Sequence, residues 1–171
     1  GEARCVGEEL ARLGREIRSD PVAPPTALLA AGETTVHVRG SGLGGRNQEV
    51  ALGAAVDLDG LEDVLVMGAG TDGVDGPTDA AGAVATGTTL RRARARGLDA
   101  RDALDRNDSY RFFEALDTEG QPRLALVDAG HYETEAVTER LIADRLRSHH
   151  PDLAVETTHH RTSPMRTYSG S

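Results

Sequence analysis

GAGTDGVDGPTDAAG, residues 68–82, is the stretch on which the reading of this chain turns. It follows Val64-Leu65-Val66-Met67, an apolar run rich in β-branched residues that predicts a buried strand, so the glycines and aspartates begin where that strand ends. In open α/β sheets, ligands gather at that end of the strands. Asp72, Asp75 and Asp79 fall among Gly70, Gly73, Gly76 and Gly82, which permit close backbone approach, while Thr71 and Thr78 add hydroxyls. Such a loop can complete a Mg²⁺ shell or bind sugar-like hydroxyls. Glycine and aspartate are equally good turn formers, and the residues alone leave both readings open.

Upstream of this loop, Cys5, Val6, Leu10, Leu13 and Ile17 recur at helical spacing and predict a packing helix that Pro21, Pro24 and Pro25 terminate. Residues 26–31 are a short apolar segment. Residues 33–39 alternate, with Val36 and Val38 on one side and Thr35 and His37 on the other, which predicts a strand with His37 on its solvent face. Gly40, Gly42, Gly44 and Gly45 then lead into Arg46-Asn47-Gln48-Glu49, the opening of a helix. A glycine loop entering a helix is a natural anion site, because unpaired amides and the helix dipole point at the charge, and Arg46 would add a bidentate donor. The loop is not a Walker A motif, since its lysine and spacing are missing.

Downstream, residues 80–85 are small and apolar, and Thr86 or Thr88 can cap a helix running to Gly97. The arginines at 91, 92, 94 and 96 spread around that helix, the pattern of a solvated surface. A short helix over 99–105 precedes Asn107-Asp108-Ser109-Tyr110-Arg111-Phe112-Phe113. The remaining pattern predicts a strand over 123–128, a helix over 130–149 and a strand over 153–158.

With 19 basic residues against 28 acidic ones, no lysine and a formal charge of -9, the 171-residue chain is a poor general binder of nucleic acid. One cysteine, Cys5, excludes an internal disulfide and fits a reducing compartment. No run approaches the roughly 18 apolar residues of a membrane span, and no leader pattern opens the chain, so the expected location is cytoplasmic without membrane association.

Three ordered blocks, GETTVHVRGSGLGGRNQE, TDGVDGPTDAAG and NDSYRFF, resemble the signatures of the MOFRL domain of the glycerate 2-kinase family, some of whose members carry hydroxypyruvate reductase names. Ala31 stands where that family usually has the first glycine of a GGETT run. The resemblance covers residues 1–116 and implies an ATP- and Mg²⁺-dependent transfer of phosphate to the 2-hydroxyl of D-glycerate. It implies catalytic work for Arg46, Asp72 and Asp75, and substrate or phosphate binding by Glu33, Gly44, Gly45, Asn47, Gln48, Glu49, Thr71, Thr78, Asp79 and Asn107. It also implies a larger N-terminal kinase domain, absent from these residues, and hence little turnover from this chain alone. An oxidoreductase role finds no GxGxxG fingerprint after a strand.

Beyond residue 116 the resemblance changes. LALVDAGHYETE resembles the Nif-three-like dinuclear metal family, also called GTP cyclohydrolase type-two-like, and implies transition-metal binding by His131 and Glu135. That family's paired-histidine motif and aspartate ligand have no counterpart upstream. The expected architecture is a three-layer α/β sandwich with a mixed, mostly parallel sheet, completed by a strand-helix-strand unit from residues 117–171. A metal-binding module and a non-catalytic remnant remain alternative readings, and homo-oligomerisation stays open.

Overall fold

The computed structural model describes residues 1–22, 24–116 and 135–157. They fall into two compact units, one holding residues 2–21 and 34–116 and the other Gly1 with 22, 24–33 and 135–157. The larger unit is built around helix α2 (Arg46–Leu58), whose residues from Gln48 to Ala55 are all buried. A helix buried all round must be enclosed on every side, with partners for its buried Gln48 and Glu49. It touches helix α1 (Ala3–Ser19), strands β2 (Leu65–Ala69) and β3 (Gly82–Thr86), and helices α3 (Thr89–Ala95), α4 (Ala100–Asp105) and α5 (Ser109–Leu116).

The predicted α1 forms, but its buried stripe is Ala3, Gly7 and Ala11, while Cys5 is exposed and Val6, Leu10, Leu13 and Ile17 are half-buried flanks. Small residues four apart bring the two helix backbones together: a Cβ on Gly7 would strike the Val50 carbonyl, and one on Gly53 would strike Arg4. Ala11 then joins Ala51, Ala54, Ala55, Leu58, Val66 and Ala85 in one core, and Leu52, Ala93, Ala103, Leu104, Phe112 and Leu116 form part of a second.

β2 and β3 pair antiparallel, from Leu65 opposite Thr86 to Ala69 opposite Gly82. The expected buried strand is covered on one face only: Val66 and Gly68 are buried, whereas Leu65 is 62% and Met67 46% exposed. The small apolar residues after the aspartate loop are therefore its hairpin partner.

Residues 33–39 correct the sequence reading. They make no strand, only a single parallel bridge between Thr35 and Glu2, and Val38 is 78% exposed. At the end of the segment a side chain takes the backbone donors, since the Asn107 Oδ1 accepts from the amides of Arg39 at 2.6 Å and of the following Gly40 at 3.0 Å. The predicted stop at Gly97 holds, with φ of 71°. Thr88 is the N-cap of α3 through its backbone alone, and the Thr89 hydroxyl accepts from the amide of Thr86 at 2.9 Å. Asp99 caps α4 by accepting from the amides of Arg101 and Asp102 at 2.8 and 3.1 Å.

In the smaller unit, β1 (Thr26–Leu29) pairs parallel with β4 (Ala154–Thr157), and helix α6 (Glu135–His149) packs on β4 around the buried Ala143. The expected helix is present over Glu135–His149 and the expected last strand over Ala154–Thr157; residues 130–134 and the expected strand over 123–128 lie outside the described residues. The described strands form two separate two-stranded sheets, one parallel and one antiparallel, in place of the single mixed sheet expected from sequence. Among the described residues no helix is long and apolar enough to cross a membrane.

Candidate functional site

α2 opens at Arg46 with Gly45 as its N-cap, in extended backbone and without a capping side chain of its own. Asp75 supplies the cap from the aspartate loop. Its Oδ1 accepts from the Asn47 amide and from Asn47 Nδ2, both at 3.0 Å, and its Oδ2 accepts from the Gln48 amide at 2.8 Å. The carboxylate is buried, and a negative charge here satisfies orphan amides and opposes the helix dipole. The anion that the glycine loop and helix terminus call for is thus, at these two amides, a side chain of the chain itself. Gly45 is required by that contact, because a Cβ there would collide with the Asp75 carboxylate, and one on Gly44 would meet the Ser109 hydroxyl.

The rest of the loop is fastened to the same helix end. Gln48 Nε2 donates to the Thr78 hydroxyl at 3.0 Å, and that hydroxyl donates to the Asp75 carbonyl at 2.8 Å. The Gly70 amide donates to the Ala81 carbonyl at 2.7 Å and closes the loop at its base. Asp72 is exposed and accepts from the Val74 amide at 3.1 Å. Asp79 is exposed and accepts from the Tyr110 hydroxyl at 2.7 Å.

Glu49 and Asn107 belong to a buried network behind this surface. Glu49 Oε1 pairs with Arg4 at 3.2 Å, Glu49 Oε2 accepts from Asn107 Nδ2 at 3.2 Å, and Arg4 also donates to the Leu104 carbonyl at 2.8 Å. Asn107 has φ of 56°, a left-handed conformation that asparagine tolerates better than most residues, and it turns the chain between α4 and α5. Asp108 accepts from the Leu43 amide at 2.8 Å, and the Gly42 amide donates to the Arg106 carbonyl at 2.9 Å. The glycine loop is therefore held on the residues that join α4 to α5.

The structure thus brings Gly44, Gly45, Arg46, Asn47, Gln48, Thr71, Asp72, Asp75, Thr78 and Asp79 to the amino end of α2 and its adjoining loop. Within that group the buried members, Gln48 and Asp75, bond to each other's segments, whereas Arg46, Asp72 and Asp79 are exposed and Thr71 is half-buried. Arg46 stands between Gly45, which packs on Asp75, and Asn47, which bonds to it. Glu33 is exposed and belongs to the other compact unit. His131 lies outside the described residues; Glu135 is the first residue of α6, and its side chain is not among those described. Among the described residues no three His, Cys, Asp or Glu side chains are grouped to hold a metal ion.

Sequence reasoning missed Tyr110. Its phenol ties down Asp79 while its amide donates to the Leu43 carbonyl at 2.9 Å, so one residue grips both loops. The available signal was a polar-tipped aromatic inside NDSYRFF, whose other two aromatics, Phe112 and Phe113, stack edge to face in the packed interior.

Comparison with known proteins agrees with the ordered motifs. The chain is 50% identical over 111 residues to the D-glycerate 2-kinase of Thermotoga maritima, a match covering 64% of this chain and 27% of that one. It is 43% identical over 113 residues to the glycerate 2-kinase of Pyrococcus horikoshii, covering 64% of this chain and 26% of the relative. The chain therefore spans about a quarter of the length of these relatives. A crystal structure of glycerate kinase from Thermotoga maritima superposes with a TM-score of 0.65 at 44% identity, over 75% of this chain and 30% of that one. That similarity gives the chain an α/β fold of the kind seen in glycerate kinases. The model of the MOFRL family matches residues 26–136, well over half of the 171, and on that evidence the chain belongs to the MOFRL family.

Proposed function

We propose that this chain is the MOFRL portion of a D-glycerate 2-kinase, and that Arg46 with the 71–79 loop forms the wall that faces the phosphate and the substrate. The observation that carries this reading is the division of labour among the motif residues. Asp75, Gln48, Glu49 and Asn107 are buried and bonded to one another's segments, while Arg46 and Asp72 are exposed at the surface those residues build. The relatives' names as glycerate 2-kinases supply the reaction class.

Phosphoryl transfer demands positioning and neutralisation of charge spread over the transferred oxygens. Arg46 suits the second task, because its planar guanidinium offers parallel donors to an anion and stays charged. It takes over the anion-binding part that Asp75 denies to the first-turn amides of Asn47 and Gln48. Magnesium accompanying a nucleotide needs only one or two carboxylates besides the phosphates and water. Asp72 fits that requirement, and Asp79 fits it while bonded to Tyr110; Asp75, with three donors already on its carboxylate, does not. When bound, the metal would neutralise phosphate oxygens. Asp72 and Asp79 would hold it or orient substrate hydroxyls, and Thr71 would donate a further hydroxyl.

The test is calorimetric titration of MgATP and of D-glycerate into the chain and its Arg46→Ala variant. Arg46 is exposed, so the variant should keep the melting temperature of the parent. Loss of a charge-assisted contact of about 1.5–3 kcal/mol should weaken binding roughly tenfold to a hundredfold. Equal affinities in the two proteins would remove Arg46 from the site.

A further inference from the structure

We propose that Tyr110 is a positioning residue of this site, holding the Asp79 carboxylate at a fixed place and tying the aspartate loop to the glycine loop. The inference rests on the reading of the 71–79 loop as ligand-facing, and it adds a residue that reading does not contain.

The geometry is specific. Asp79 is exposed on the far limb of the loop, four residues beyond the buried anchor Asp75. Thr78 is bound to the Asp75 carbonyl at 2.8 Å, so the loop is fixed up to residue 78 from within. An exposed carboxylate one residue further on would otherwise sample several rotamers. The Tyr110 phenol reaches it at 2.7 Å from α5, a helix whose Ser109 and Phe112 are buried. Tyrosine has few rotatable bonds and α5 is packed, so the donor is rigid and the acceptor inherits that rigidity.

The same residue donates its amide to the Leu43 carbonyl at 2.9 Å, three positions before Arg46. One residue therefore sets both Asp79 and the backbone that leads to Arg46. The two bonds are separable, because Tyr110→Phe removes the hydroxyl and leaves the amide. The phenol is held protonated beside Asp79, its pKa pushed up to about 12 chiefly by the hydrogen bond, so it remains a donor throughout the neutral range. Glu114, on the same helix, also raises it by its charge.

The experiment compares the chain with Tyr110→Phe, Asp79→Asn and the double variant by amide hydrogen exchange at neutral pH, together with ¹³Cζ tyrosine spectra. Both single variants should speed exchange over 71–81 by roughly tenfold, the double variant should add nothing, and exchange over 39–45 should stay as in the parent. Asp79→Asn should also shift the Tyr110 ring resonance. Unchanged loop exchange in Tyr110→Phe, or additive effects in the double variant, would overturn the clamp.

Adding D-glycerate or MgATP to the parent chain separates positioning for a ligand from simple bracing. A shift of the Tyr110 resonance in step with calorimetric binding supports positioning. Binding with no such shift overturns it, because a ligand at Asp79 must perturb its hydrogen-bond partner. A chain that binds neither compound counts against the kinase reading, and the exchange comparison then decides the clamp by itself.

Discussion

Asp75 is the residue whose role differs most from the one its motif suggests. An aspartate between glycines at a strand end reads as a ligand to metal or sugar; here its two oxygens take three hydrogen bonds from Asn47 and Gln48. Asp75→Ala should destabilise the larger unit by at least about 2 kcal/mol, since it strips an N-cap and leaves amides without acceptors in a buried place; chemical denaturation measures it. A loss below about 0.5 kcal/mol would mean water serves equally well. Tyr110 offers a pH signature. Its phenol titrates near 12 in the folded chain against about 10 when unfolded. Between those values the native state keeps a proton that the unfolded chain has released. The contribution is therefore complete below about pH 10 and is lost as pH rises towards 12. Denaturation midpoints at about pH 9 and pH 11.5 should show the advantage of the parent over Tyr110→Phe shrinking with rising pH.

Among the elements, α2 is the one on which the others depend, and its buried Glu49 is where it is most exposed to damage. Glu49→Ala leaves Arg4, whose side chain is 12% accessible, with Glu2 at 3.2 Å as its nearest remaining carboxylate. Breaking a buried pair costs about 3–5 kcal/mol, and the presence of Glu2 puts the expectation at the lower end, as a drop in denaturation midpoint. The sequence made α1, α2, α3 and α4 legible because each has a helical period or a terminal signal such as Asp99 or Gly97. It made the strand over 65–69 legible through the apolar run Val64-Leu65-Val66-Met67 that ends in glycine-rich sequence. It did not reveal that residues 33–39 form only the single bridge to Glu2, or that the amides of Arg39 and Gly40 are met by Asn107, 68 and 67 positions away. Nor did it reveal Asp75 as a cap or Tyr110 as a clamp. Such contacts join segments that no local pattern connects, and the three motif blocks announced that these residues matter without saying which were structural.

For the whole molecule, the chain's span of about a quarter of its kinase relatives sets the expectation for activity. The purified 171 residues, supplied with ATP, Mg²⁺ and D-glycerate, should release ADP no faster than a protein-free control. Robust glycerate-dependent consumption would show that one wall suffices for the reaction. The way α2 is capped carries a separate implication, for the order in which the chain acquires its shape. Its N-cap is a glycine, and the carboxylate that completes its first turn comes from 28 residues beyond Asn47. During synthesis α2 emerges well before Asp75, so its amino end frays until strand β2 and the loop behind it have been made and have docked. Helix, strand and loop must then lock together in one late, cooperative step, which ties the folding rate of the larger unit to a non-local closure instead of to the helical propensity of α2.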